Sequence, residues 1–169
     1  NVKPSNVYLS SSGHYLLGDL GIAKIDELKY CSMPENMLSS FSAPELFSLL
    51  GTIEPTTDIY SVGMILYRIY NGNHGPFEDE KTSARAADKL RVTGQQLPAP
   101  MYADYEMADI LLKACAFKPE DRYQTPQELQ EALLEYGKRT EASDALIVPP
   151  IEGEPEQIDP SAEEEVEPV

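Results

Sequence analysis

The stretch TDIYSVGMILYRIY, residues 57–70, decides the fold of this chain. Its aliphatic residues recur at helical spacing and share one face of a helix: Ile59, Val62, Ile65, Leu66 and Ile69. Met64 and Tyr67 add apolar side chains elsewhere around the helix. Because a helix that is apolar nearly all round is a buried one, the stretch predicts a core helix, which Gly72 is placed to end.

Three more helices are predicted on the C-terminal side of this core helix. A polar helix is expected from Thr82 to Arg91, and an amphipathic helix from Glu106 to Phe117. The last helix is expected from Thr125 to about Lys138, since Thr125 is a favourable N-cap, Pro126 suits the first turn and Glu128 completes a capping box. Helices therefore dominate this part of the chain.

On the N-terminal side, the pattern predicts a β-hairpin followed by a long loop. Residues 7–9 and 15–17 are short β-prone runs, and Ser11-Ser12-Gly13 between them is a turn signal. Residues 22–42 are polar and irregular, with Pro34 among them, and loops of this length in compact domains are usually functional. The predicted fold class is mainly α with one short β-hairpin.

The composition narrows the class of partner and the cellular location. With 169 residues and 41% hydrophobic content, the chain can bury a core of its own. Its net charge of −16 argues against nucleic acid or an anionic membrane surface as the main partner, because both require a basic patch. No apolar run approaches the roughly 20 residues of a membrane helix. Cys31 and Cys115 lack CxxC spacing, which is typical of reduced thiols and favours a cytoplasmic protein.

The C-terminal end of the chain differs in composition from the rest. From Glu141 onward there are ten acidic residues, five prolines and no lysine or arginine. Such a segment cannot bury enough apolar surface to offset the loss of chain entropy. We expect one domain over residues 1–139 and an acidic, proline-containing disordered tail or linker over residues 140–169.

Two polar residues flank the predicted hairpin almost symmetrically about its turn. Pairing of the two strands would bring Asn6 and Asp19 together at the open end of the hairpin. An amide oxygen and a carboxylate suit Mg²⁺, a hard cation that takes oxygen ligands and usually keeps waters and substrate phosphates. The same pair is also typical of turn or cap residues, so the spacing alone leaves both interpretations open.

Five short motifs follow one another along the chain. They are Asn1–Asn6, Asp19-Leu20-Gly21, Ala43-Pro44-Glu45, Asp58–Gly63 and Pro119–Tyr123. In turn they resemble the catalytic loop, the metal-binding Asp-Phe-Gly triplet, the triplet closing the activation segment, the start of the central helix, and the segment whose Arg pairs with the Glu of Ala-Pro-Glu. Together they resemble the C-terminal lobe of a serine/threonine protein kinase-like domain, over roughly residues 1–138.

The resemblance implies a role for each matching residue. Asn6 and Asp19 would bind the Mg²⁺ ions that bridge the phosphates of ATP, and Lys3 would stabilise charge on the transferring phosphoryl group. Glu45 and Arg122 would form a buried ion pair with a structural role. The resemblance also implies a protein substrate or binding partner.

Further matching positions have structural or regulatory interpretations. Asp58 would brace the catalytic loop by accepting backbone hydrogen bonds, and as an acidic residue at a helix start it could equally be a cap. Ser32, Ser39 and Ser40 lie in the predicted activation segment and are candidates for phosphorylation, although serine is also an ordinary loop residue.

The departures from the family pattern bear on activity. Asn1 stands where an active kinase has the Asp that accepts the proton of the substrate hydroxyl, and an amide cannot act as a carboxylate base. Leu38 stands near the position of a Thr that bonds to the catalytic Asp and Lys, whereas Leu20 keeps an apolar side chain behind the metal-binding Asp. Since phosphoryl transfer depends mainly on positioning and electrostatics, we expect a severe loss of rate rather than strict absence of transfer.

Three hypotheses stay open at this point. In the first, the chain is part of a kinase domain that transfers phosphate from ATP to Ser or Thr hydroxyls. In the second, it is part of a pseudokinase scaffold or protein-binding module. In the third, it is an all-α interaction domain that matches the motifs by chance. No Gly-rich loop, Val-Ala-Ile-Lys strand or partner Glu occurs in the sequence, so the N-lobe is absent from it. The sequence begins with Asn1 rather than Met, so we expect residues to precede it, and we expect the chain by itself to be inactive.

Overall fold

The fold was analysed in a computed structural model that describes residues 1–18, 38–48, 51–79 and 81–141. Two antiparallel strands come first, β1 (Val7–Leu9) and β2 (Tyr15–Leu17). Four helices follow within the described ranges: α1 (Pro55–Ile69), α2 (Ala84–Val92), α3 (Tyr105–Ala114) and α4 (Pro126–Glu141). The expected fold class, mainly α with a short β-hairpin, is therefore confirmed.

The hairpin has the predicted strands. Val7 lies opposite Leu17, Tyr8 opposite Leu16 and Leu9 opposite Tyr15. Gly13 in the turn has a φ of +81°, a left-handed conformation that costs a glycine little and most other residues more. The turn residues and the β-prone runs thus specify the hairpin locally.

Helix α1 is the core helix, as predicted, but its most buried face differs from the aliphatic one. Tyr60, Met64 and Tyr67 are at most 1% exposed, whereas Ile69 on the predicted face is 50% exposed. The aliphatic side of α1 still contributes Ile59 to a core cluster formed mainly with α3 and α4. Both sides of the helix are therefore covered, one of them by the loop of residues 41–43 and by Cys115.

Helix α3 ends earlier than predicted, and a side chain binds the segment that follows it. The helix stops at Ala114 rather than Phe117. Arg122 donates from Nε to the carbonyl oxygen of Ala116 (2.8 Å) and from Nη2 to that of Phe117 (3.0 Å). The Arg122 side chain therefore satisfies two carbonyl groups in the non-helical segment directly after α3, which helical periodicity does not reveal.

Helix α4 begins as expected and runs slightly further. Thr125 accepts a hydrogen bond from the backbone N–H of Glu128 (3.2 Å), and the Glu128 carboxylate accepts one from the N–H of Gln124 (2.8 Å). The helix continues to Glu141, past the predicted end at Lys138. The predicted tail lies almost entirely outside the described residues, as do Asp19, Leu20, Cys31, Ser32 and most of the predicted loop at 22–42.

None of the helices in the described ranges is long and apolar enough to cross a membrane.

Gly63 sets the distance between α1 and α3. A Cβ atom at this position would lie 2.8 Å from the Cys115 Sγ and 2.9 Å from the Ala114 Cβ, closer than such atoms pack. We expect Gly63→Ala to lower the free energy of unfolding by about 1–3 kcal/mol, because the two helices must separate to admit the methyl group. Urea denaturation measures this, with Gly137→Ala as the control, since a Cβ at Gly137 meets nothing within 4 Å. Equal stability of the two variants would contradict the close approach.

Candidate active site

The first six residues form a closed loop that leads into β1. Pro4–Asn6 is a single turn of 3₁₀ helix, and the N–H of Asn6 donates to the carbonyl oxygen of Lys3 (2.9 Å). The Asn6 side chain is buried, and its Nδ2 donates to the carbonyl oxygen of Asn1 (2.8 Å). One side chain therefore ties the start of the loop to its end.

The hairpin places Asn6 beside the residue that precedes Asp19. The N–H of Gly18 donates to the carbonyl oxygen of Asn6 (2.9 Å), directly beyond the Val7–Leu17 pair. Asp19 itself lies outside the described residues, so its approach to Asn6 stays a prediction. Within the described ranges, no three His, Cys, Asp or Glu side chains form a cluster that could hold a metal.

The environment of Asn6 fits a magnesium ligand. Because Nδ2 is engaged with Asn1, Oδ1 is the atom of this amide that a hard cation would use. The amide is fixed by burial and by a hydrogen bond, which reduces the entropy lost when a ligand binds. The donor chemistry of Asn6 is therefore compatible with the Mg²⁺ expected from the sequence.

Lys3 and Asn1 lie on the same loop as Asn6. Lys3 is half-buried, and its backbone is extended where it precedes the 3₁₀ turn. Asn1 is also half-buried, and its carbonyl group is held by Asn6. The structure thus brings Asn1, Lys3 and Asn6 into one closed loop.

Glu45 and Arg122 form an ion pair across a long separation in sequence. Arg122 Nη1 lies 2.8 Å from Glu45 Oε1, and Nη2 lies 2.8 Å from Oε2, which is bidentate geometry. The Arg122 side chain is 0% exposed and that of Glu45 is 10% exposed. Arg122 Nη1 also donates to the carbonyl oxygen of Thr56, while the Thr57 hydroxyl donates to Glu45. The pair therefore joins the segment at 43–47, the start of α1 and the chain beyond α3.

Arg91 is a second buried arginine in this region, and sequence reasoning did not single it out. Its side chain is 1% exposed, and Nη1 donates to the carbonyl oxygen of Ser42 (2.6 Å) and to the hydroxyl of Tyr60 (3.1 Å). The Tyr60 ring lies near both guanidinium groups, 5.7 Å from that of Arg91 and 4.8 Å from that of Arg122. An arginine in a polar helix is usually solvated, so the sequence gave no signal of its burial.

The other predicted positions lie close to these residues. Asp58 is in the first turn of α1 with an exposed side chain, while Glu54 occupies the N-cap position. Ser39 and Ser42 approach each other, with 3.3 Å between their hydroxyl oxygens and 3.0 Å from the Ser39 N–H to the Ser42 hydroxyl. Leu38 and Ser40 are half-buried in the same segment.

The ion pair predicts how stability changes with pH. Burial opposes ionisation of Glu45, but the hydrogen bonds from Arg122, the backbone and Thr57, together with the charge of Arg122, outweigh it and hold the pKa of Glu45 below 4.5. Since the folded pKa is depressed, this contribution to stability is fully present above about pH 4.5 and is lost as the pH falls through the folded pKa.

We therefore expect the stability gap between wild type and Glu45→Gln to be widest above about pH 5 and to narrow on acidification. Urea denaturation at several pH values measures the gap. Glu135→Gln is the control, because the Glu135 side chain is 72% exposed and its Oε1 lies 3.8 Å from Arg139 Nη1. A gap for Glu45→Gln that stays constant from pH 7 to pH 3 would contradict the charge pairing.

Comparison with known proteins gives consistent matches. Residues 1–134 match the protein kinase domain family. The chain is 29% identical over 140 residues to serine/threonine-protein kinase PknB of Mycolicibacterium smegmatis, covering 79% of this chain and 22% of that protein. It is 28% identical over 155 residues to serine/threonine-protein kinase PknK of Mycobacterium bovis, covering 90% and 14%. It is 32% identical over 138 residues to tyrosine-protein kinase MasK of Myxococcus xanthus, covering 79% and 21%. The chain thus spans less than a quarter of the length of each relative.

Proposed function

The chain belongs to the protein kinase domain family, and on this premise we propose that it supplies the catalytic loop of a domain transferring phosphate from ATP to protein hydroxyl groups. The observation that carries the proposal is the placement of Asn6. Its amide is buried, oriented by Asn1, and joined through its backbone to the residue before Asp19. A chance match of an all-α interaction domain would not require this arrangement.

Asn6 and Asp19 are the residues proposed to hold Mg²⁺. Bound there, the ion would neutralise charge on the phosphates of ATP. Asn6 offers a preorganised amide oxygen, and its hydrogen bond to Asn1 keeps it from rotating away. The proposal for Asp19 rests on its position in the sequence directly after Gly18.

Lys3 is proposed to act by charge alone. Its ammonium group, on the same loop as Asn6, would stabilise negative charge on the phosphoryl oxygens during transfer. No proton transfer by Lys3 is needed. The half-buried position of Lys3 limits the screening of its charge by solvent.

Asn1 is proposed to limit the rate. A side-chain amide can orient a substrate hydroxyl through a hydrogen bond, but it cannot accept the proton that leaves the hydroxyl. Transfer is therefore expected to be severely slowed while nucleotide binding is retained. Leu38, which offers no hydroxyl where the family has a Thr, supports a relaxed demand for catalysis.

A pseudokinase scaffold is the second candidate function, and the same Asn1 favours it. In that case the domain would keep its fold and bind a partner protein without useful turnover. The two functions share the ion pair of Glu45 and Arg122, so stability measurements do not separate them. Nucleotide binding and phosphoryl transfer do.

Serine and threonine are the proposed acceptor residues, and the cytoplasm is the proposed location. Two of the relatives described above are serine/threonine-protein kinases by name, while a third is a tyrosine-protein kinase. Cys115 is a buried free thiol, in keeping with a reducing compartment. Phosphoamino-acid analysis of a labelled protein substrate separates serine and threonine from tyrosine.

Binding of Mg-ATP by the full-length protein tests the proposed site. We expect ATP to raise the thermal midpoint only when Mg²⁺ is present, and we expect Asn6→Ala to lose most of this shift because it removes a metal ligand. Ser12→Ala, in the exposed turn of the hairpin, is the matched control and should keep the full shift. A wild-type protein that ATP does not stabilise at any Mg²⁺ concentration would argue against a kinase site and for the scaffold.

A further inference from the structure

Large side chains are exposed at the turn that leads into α3. Met101 is 73% exposed, Tyr102 55% and Tyr105 89%. The turn itself is fixed, because the N–H of Tyr102 donates to the carbonyl oxygen of Tyr70 (2.9 Å) and the N–H of Met101 donates to Asn71 Oδ1 (2.9 Å). Tyrosine and methionine are enriched in protein interfaces. Met101, Tyr102 and Tyr105, here called the α3 patch, therefore have the composition of a docking surface.

Helix α4 ends beside the α3 patch. The hydroxyl of Tyr136 on α4 donates to the carboxylate of Asp104 (2.8 Å), and Arg139 forms an ion pair with Glu106. Asp104 and Glu106 are the residues on either side of Tyr105 in the sequence. The last turns of α4 are thus held against the start of α3, and the chain that follows α4 begins next to the patch.

An apolar run follows α4 in the sequence. Residues 145–151 read Ala-Leu-Ile-Val-Pro-Pro-Ile and carry no charge, although the tail around them is acidic. Residues 142–144 link this apolar run to α4. A link of three residues spans about 10 Å when extended, and the seven residues of the run span about 23 Å. The run lies outside the described ranges, but its distance from α4 along the chain puts the α3 patch within its reach.

We propose that the apolar run, residues 145–151, docks on the α3 patch of the same chain. Its aliphatic side chains cover the exposed tyrosine rings. Pro149 and Pro150 favour an extended backbone, which loses little entropy when it lies along aromatic side chains. The short link to α4 also gives the run an effective concentration in about the millimolar range at the patch, which a separate partner would have to exceed.

The charge of the chain favours this occupant over a second copy. Two copies that met at the α3 patch would each bring a net charge of −16, and like charges oppose association. The apolar run brings no charge of its own to the patch. Asp144, directly before the run, follows the basic residues Lys138 and Arg139 in the last turn of α4, so the charges at this junction also favour a close approach.

Hydroxyl-radical footprinting of the full-length protein, read by mass spectrometry, tests the docking from the side of the patch. The double variant Leu146→Asp with Val148→Asp charges the apolar run, and Ile158→Asp, elsewhere in the tail, is the matched control. Met101 and Tyr105 are expected to be oxidised at least about fivefold faster in the double variant than in wild type or in the control. Equal oxidation in wild type and the double variant would overturn the proposal, as would protection that appears only at high protein concentration, since that indicates a second copy.

Limited proteolysis tests the docking from the side of the tail. Elastase, whose specificity pocket accepts small side chains, is expected to cleave the apolar run at least about fivefold faster in Tyr105→Ser than in wild type, because the variant removes part of the docking surface. Tyr15→Ser, an exposed tyrosine of the hairpin, is the control and should leave the cleavage rate unchanged. Cleavage of Tyr105→Ser at the wild-type rate would place the run elsewhere and overturn the proposal. Neither experiment depends on kinase activity.

Discussion

Replacement of Arg122 by alanine is expected to lower the free energy of unfolding by about 3–5 kcal/mol, the range for breaking a buried ion pair by removing one partner. The variant leaves the Glu45 carboxylate without its bidentate partner at a site where the carboxylate is 10% exposed. It also leaves without this donor the carbonyl oxygens of Thr56, Ala116 and Phe117. Urea denaturation followed by circular dichroism measures the change.

Arg139→Ala is the matched control for this prediction. Arg139 also pairs with carboxylates, Glu106 and Glu135, but its side chain is 53% exposed. Exposed ion pairs typically contribute less than about 1 kcal/mol, so this variant should remain close to wild type. If the two alanine variants lost similar stability, burial and bidentate geometry would not be what makes the Arg122 pair important.

The position of the Glu45–Arg122 ion pair explains why we expect its loss to destabilise the helical part of the chain as a whole. Glu45 belongs to a short 3₁₀ helix, Pro44–Phe47, and Arg122 follows another, Pro119–Asp121. Neither segment has a long hydrogen-bond ladder of its own. Arg122 takes the place of such a ladder, because it binds three carbonyl oxygens and a carboxylate. It thereby holds both segments against the start of α1.

Local signals in the sequence predicted the elements whose structure is determined locally. The hairpin follows from two β-prone runs and the Gly13 turn, and the start of α4 follows from Thr125 and Glu128. The end of α3 was predicted too late because the apolar pattern continues to Phe117, whereas the chain beyond Ala114 leaves the helix and its carbonyls at Ala116 and Phe117 bind the Arg122 side chain. The sequence predicted a helix α1 that is buried nearly all round, but its aliphatic periodicity did not indicate that the face of Tyr60, Met64 and Tyr67 is the most buried one.

The candidate site was predictable to the extent that it matches family motifs. The order of these motifs predicted the pairing of Glu45 with Arg122, which no periodicity would suggest. The role of Asn6 as a metal ligand stays a prediction. The burial of Arg91 could not be predicted, because α2 is polar in sequence and its one buried arginine is identified only by its three-dimensional contacts. Asp19 lies outside the described residues, so its role rests on the sequence and on its neighbour Gly18.

Asn1→Asp is expected to raise the rate of phosphoryl transfer by about 10²-fold or more, the usual contribution of a positioned general base. The loop that carries residue 1 is already closed through Asn6, which binds the backbone carbonyl of Asn1 rather than its side chain. The substitution therefore changes the chemistry of the side chain without removing the contact that positions it. Nucleotide affinity should stay within about twofold, because the base contacts the acceptor hydroxyl rather than ATP.

The most direct test of the account is a phosphoryl-transfer assay on the full-length protein with labelled Mg-ATP and a generic basic protein as acceptor. Wild type and Asn1→Asp are compared, with Asn1→Ala as the control that removes the amide without adding a base. The account predicts weak transfer by wild type, a sharp increase for Asn1→Asp and none for Asn1→Ala. Measurable Mg-ATP binding with no transfer by either wild type or Asn1→Asp would contradict it, and would indicate a domain that acts by binding partners.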